Sequence, residues 1–143
     1  MSVINTQYPV AGSGSELARR TTAGVLVSVV LAVVVVVVGV DLLSLDVGDS
    51  GTWSPFGLLA VLVAILAGAG AAVAYAALVR YTDRPARNFG ILSAAVFLLM
   101  LVPVFTFAPS QGVAEGTGQG LLVVLHAAVA VPLVAFISGA VEI

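Results

Sequence analysis

The stretch AGVLVSVVLAVVVVVVGV, Ala23 to Val40, decides how the rest of the chain is read. Its valine block, Val33 to Val38, has the composition of a β-strand, because β-branched side chains pack well on a pleated surface. Length argues the other way, since soluble strands run about 5–6 residues and this apolar run continues far beyond that. Nor do its apolar positions alternate with polar ones, as the strands of a membrane barrel do. In hydrocarbon a helix satisfies its own backbone N–H and C=O groups, and that need outweighs valine's weak helix propensity. Three more runs of the same kind follow: Phe56 to Val79, Phe89 to Phe107 and Gly120 to Val141. Each is close to the ~20 residues that cross a ~30 Å hydrocarbon core at about 1.5 Å per residue. The expected fold is an all-α membrane protein, a bundle of four transmembrane helices with up-down topology. The helices are expected at about 22–43, 55–80, 88–108 and 119–141, after a flexible tail over 1–18.

Composition supports lipid as the main solvent. Of 143 residues, 61% are apolar and 8% charged, against roughly 25% charged in a soluble domain. Mean hydropathy is +1.21. Without Cys there are no disulfides, thiolate metal sites or cysteine nucleophiles. All five basic residues are Arg, and the absence of Lys together with a pI near 5.0 is a halophile-like composition. Five arginines divided between two places make no nucleic-acid patch.

Those arginines orient the chain. Arg19 and Arg20 precede the first helix, and Arg80, Arg84 and Arg87 lie between the second and third. Four crossings bring both groups to one side, while Asp41, Asp46, Asp49 and Glu115 fall on the other. The positive-inside rule then places both termini in the cytoplasm of a multi-pass cell-membrane protein. Arg19-Arg20 also raises a twin-arginine export signal. The apolar run is longer than a typical signal core, and Gly39-Val40-Asp41 offers no small-x-small cleavage site, so an uncleaved helix is expected. Asp83 and Arg87 have the spacing of an i,i+4 pair, and Ser54-Pro55 that of an N-cap with a first-turn proline. Trp53, Phe56 and Tyr81 suit the interfaces.

Helix two carries Ala60, Ala64, Gly68, Ala72 and Ala76 at every fourth position, a ridge of small residues with Ala67, Gly70, Ala71 and Ala74 alongside. Small side chains let helix backbones approach where lipid supplies no hydrophobic drive, so helix two is expected at the centre of the packing. Pro103 and Pro132 each remove a backbone donor and are expected to kink helices three and four. Ser28, Ser93 and Tyr75 are the few polar groups near mid-membrane.

Ionisable residues inside a span are the default functional lead. His126, inside helix four, and Asp41, ending helix one, both fall toward the acidic side. An Asp41–His126 pair is geometrically conceivable, either as a clamp between helices one and four or as a proton-handling site. No catalytic constellation accompanies them. There is no G-x-S-x-G elbow, no H-E-x-x-H and no second His for haem. The glycines of Gly116-Thr117-Gly118-Gln119-Gly120 lack the Lys and the strand of a phosphate loop. The chain is expected not to be an enzyme and to hold no cofactor or metal.

Several segments together resemble an uncharacterised prokaryotic four-helix membrane family, domain of unknown function 6069. They are the Arg-Arg pair before an apolar helix, Gly39-Val40-Asp41-Leu42, Leu78-Val79-Arg80-Tyr81-Thr82, Arg84-Pro85-Ala86-Arg87, Leu101-Val102-Pro103, and Leu125-His126 with Pro132. The resemblance covers about residues 19 to 140. It implies four helices in a cell membrane, no established activity, and Asp41, Arg80 and His126 as the residues to follow. The reading that results is a structural or accessory membrane component. Its partners would be the lipid bilayer and either further copies or another membrane protein. The alternative is a small proton-linked carrier or oligomeric channel using Asp41 and His126.

Overall fold

A computed structural model describes residues 9–48 and 55–143. Helix α1 spans Gly14–Val36 and runs on without a break into a π-helical segment, Val37–Leu42. Helices α2 (Pro55–Tyr81) and α3 (Pro85–Thr106) follow, then a 3-10 turn over Ala108–Gln111 and helix α4 (Thr117–Ser138). All four, with α1 counted through Leu42, are long and apolar enough to cross a membrane. The chain is an all-α four-helix bundle.

Local chemistry sets the ends. α1 starts at Gly14 rather than near residue 22, so residues 14–18 are helical and not part of a tail. Ser13 is the N-cap: its Oγ accepts from the Glu16 N–H at 3.2 Å. The Glu16 carboxylate in turn accepts from the Gly12 N–H at 2.8 Å. Residues 1–8 of the expected tail, and Asp49, Trp53 and Ser54, lie outside the described residues. α3 starts at Pro85, whose missing N–H costs nothing in a first turn. That start leaves Asp83 in the preceding turn, so its spacing to Arg87 is not helical. The Asp83–Arg87 spacing carries no ion pair, and Glu16–Arg20 is the ion pair found among the described residues.

The most extensive interface joins α1 to α4, followed by α1 to α2 and α3 to α4. Arg20, Gly24, Ser28, Ala32 and Val36 of α1 are buried at every fourth position, which places them on one face. A Cβ on Gly24 would stand 3.3 Å from the Phe136 Cβ and 3.4 Å from the Pro132 carbonyl oxygen, so the two backbones approach closely there. One turn on, the Ser28 hydroxyl donates across the interface to the Val129 carbonyl at 2.9 Å. Gly39 makes room for the Leu121 side chain. The contacts Arg20–Gly139, Gly24–Leu133 and Gly39–Leu121 show the two helices running antiparallel.

Helix two therefore does not hold the centre alone. It touches all three other helices, but its ridge is buried only at Ala64 and Gly68. Ala60 and Ala72 are half-buried and Ala76 is exposed. Gly68 admits the Val25 side chain of α1. On the acidic side, the two loops pair as an antiparallel bridge between Val47 and Val113, and the Ala114 N–H donates to the Asp46 carbonyl at 3.1 Å. A Cβ on Gly118 would collide with that same carbonyl oxygen, so α4 starts directly beneath this loop.

The α1–α4 seam makes a measurable prediction. Gly24→Leu must push two backbones apart and is expected to lower unfolding stability in detergent by about 1–3 kcal/mol. Gly70→Leu, where a Cβ meets nothing within 4 Å, is expected to leave it unchanged. Equal losses in the two variants, read by thermal or denaturant melts, would refute the packing order described.

Candidate functional site

The expected polar residues fall in separate places. Asp41 lies in the π-helical segment with an exposed side chain. There the Leu43 N–H bonds to the Val38 carbonyl five residues back at 2.9 Å, and Ser44 (φ 54°) turns the chain away in the left-handed region. Such π turns are frequent at functional positions. His126 is half-buried on α4, with Nδ1 2.7 Å from the Leu122 carbonyl oxygen. A carbonyl only accepts, so Nδ1 is the donor in this contact.

The register of the Ser28–Val129 and Gly39–Leu121 contacts puts His126 level with the last turns of α1 proper. That is roughly 10 Å along the bundle axis from Asp41, at about 1.5 Å per residue. Arg80 is further still, exposed at the opposite end of α2, its guanidinium 5.7 Å over the Tyr81 ring. The three residues singled out by the resemblance do not converge.

A tighter polar cluster sits at the arginine-bearing end. Arg20 is only 6% exposed. Its Nη1 donates to the Pro9 carbonyl at 2.7 Å and its Nη2 to Glu16 Oε1 at 2.5 Å. The guanidinium also lies against the C-cap of α4. Gly139 holds φ 81° there, and a Cβ on it would stand 2.6 Å from Nη1. A cation at a helix C-terminus meets the negative end of the helix dipole. The Val141 N–H bonding back to the Ala135 carbonyl at 3.1 Å completes the cap. Arg20 is thus a buried tie between the N-terminal segment, α1 and α4 rather than a solvated orienting charge.

Tyr75 of α2 is buried beneath this tie, with 0% exposure. Its ring meets Phe89 of α3 edge-on, centroids 5.2 Å apart, and packs with Leu133 and Ile137. Its hydroxyl is within the electrostatic reach of Arg20 and Glu16, yet has no hydrogen-bond partner among the described residues. In the sequence Tyr75 stands only as one of a few mid-membrane polar groups, and Glu16 falls in the expected tail. The signal was present in Ser13-x-x-Glu16, a capping pattern, and in the i,i+4 spacing of Glu16 and Arg20.

Two variants separate the parts of this cluster. Tyr75→Phe removes a buried polar atom without a partner and is expected to hold or raise stability, by up to about 1 kcal/mol, whereas Tyr75→Ala is expected to cost about 3–5 kcal/mol. Arg20→Met is expected to release residues 9–13, read as faster amide exchange in that segment. A loss of stability in Tyr75→Phe would mean that the hydroxyl has a partner after all.

Neither a curated protein nor a solved structure matches the chain. A family model does match, over residues 13–142, which takes in all four helices, the Glu16–Arg20 tie, and Asp41, Arg80 and His126. The chain belongs to DUF6069, a family of unknown function.

Proposed function

We propose that this four-helix membrane protein is a structural or accessory component of the cell membrane and not an enzyme, acting through the outward faces of α2 and α3. The carrying observation is how little of those helices the bundle uses. Within their most apolar stretches, 17% of α2 and 11% of α3 is buried, against 33% for α1 and for α4. α1 and α4 thus form the packed pair, while α2 and α3 turn most of their surface to lipid or to a partner. On α2 that surface includes Ala67 and Gly70, small residues of the kind that let a second membrane helix come close. Self-association through this face, or docking on another membrane protein, follows from it. Both termini lie in the cytoplasm in this reading, because the five arginines mark one end and the acidic loops the other.

One observation favours a second reading, a proton-linked carrier or oligomeric channel. His126 places an imidazole inside a span, and the π turn carries Asp41 toward the same side. Flux separates the two. In proteoliposomes under an imposed pH gradient, the accessory reading expects proton leakage equal to that of protein-free vesicles. Leakage above that level that falls on His126→Ala would overturn it. Gly70→Leu is expected to reduce cross-linking between differently tagged copies in native membranes if helix two is the self-association face.

A further inference from the structure

We infer that the groove between α1 and α2 at the arginine-bearing end holds one anionic phospholipid, an acyl chain lying along the groove and the phosphate at Arg80. The inference is independent of whether the chain is an accessory component or a carrier.

A shallow, largely open groove of about 430 Å³ runs between Leu17, Ala18, Thr21 and Thr22 of α1 and Ala72 and Ala76 of α2. Its wall side chains offer no free donor. The Thr21 and Thr22 hydroxyls are spent on their own helix, donating to the Leu17 and Ala18 carbonyls at 2.8 Å each. The other wall residues are aliphatic. A polar ligand gains nothing there, and a hydrocarbon chain fits. From Gly14 to Thr22 the groove runs about 12 Å along α1 and ends where the apolar run from Ala23 begins, so a chain lying in it continues into the hydrocarbon. Val73 on its rim is 71% exposed, so the groove opens sideways to the bilayer.

Charge names the headgroup. Ala72, Ala76 and Arg80 follow one another at i, i+4 and i+8, so Arg80 continues the groove-lining face of α2 one turn toward the membrane surface. Its side chain is exposed and has no carboxylate within ion-pair distance among the described residues. It lies over the exposed Tyr81 ring, at the level where aromatic side chains meet headgroups. A second copy would fit the groove less well. A two-fold axis along the membrane normal places the same lip of both copies at one depth, bringing Arg80 toward Arg80. A phosphate neutralises that charge.

The test is native mass spectrometry of the full chain in mild detergent, titrated separately with phosphatidylglycerol and phosphatidylcholine. The expected result is one phosphatidylglycerol bound per chain, favoured about fivefold over phosphatidylcholine, the discrimination one Arg gives near an anionic surface. Arg80→Gln is expected to bring the two lipids to parity, and Ala76→Leu, which fills the groove, to remove the adduct. Val73→Trp on the exposed rim does the same job if Ala76→Leu fails to fold. Equal binding of the two lipids by the unmodified chain overturns the inference, as does an adduct that survives both groove-filling variants. Displacement by millimolar inorganic phosphate would show a free-anion site instead. A dimer that excludes lipid and dissociates on Ala76→Leu would assign the groove to a second copy.

Discussion

The close approach of α1 to α4 is the contact on which the rest of the bundle depends. Two apolar helices in hydrocarbon gain nothing from leaving lipid, so their association must come from dispersion at short range and from hydrogen bonds. Gly24, Ser28 and Ala32 meet both needs on one stripe. Gly24 lets the backbones approach near Pro132 and Leu133, Ala32 is wholly buried, and the Ser28 hydroxyl bonds to a carbonyl of the other helix. The other two helices then attach to this pair. Val25 of α1 seats against Gly68 of α2, and Phe89 of α3 seats against Tyr75, which packs with Leu133 and Ile137 of α4.

The two ends of the bundle are closed by different means. At the acidic end the closure is backbone to backbone, with Val47 bridged to Val113 and Asp46 lying over Gly118. At the other end it is a charge, the Arg20 guanidinium shared between Glu16, the Pro9 carbonyl and the α4 C-cap. Both devices spend polar groups on internal bonds, which is what a low-dielectric surrounding demands. What remains outside is the broad surface of α2 and α3, together with Arg19, Arg80, Arg84 and Arg87, all exposed at one end. In the proposed function those are the surfaces that meet lipid or a partner.

Much of the architecture was legible beforehand. The four spans, their order and the side bearing the arginines follow from run length and charge placement. Asp41, Arg80 and His126 were equally visible as rare polar residues, but their spacing in three dimensions was not. The small-residue ridge illustrates the difference. Helix two shows it five times over, from Ala60 to Ala76, whereas Gly24-x-x-x-Ser28-x-x-x-Ala32 in helix one is shorter and sits within a valine run that draws attention to itself. The quieter ridge is the more deeply buried, because a partner backbone lies along its whole length.

The amino-acid sequence by itself determined that this chain lives in lipid as four helices with its arginines at one end. Hydropathy, span length and charge act residue by residue, with no need to know which helix neighbours which. Only the tertiary structure decided that α1 and α4 form the core, that Arg20 is buried while Arg80 stays exposed, and that Asp41 and His126 stand apart. Each of those depends on the rotation and axial register of one helix against another. That choice is made by many weak contacts at once, and a 1.5 Å slide or a π turn changes which side chains meet.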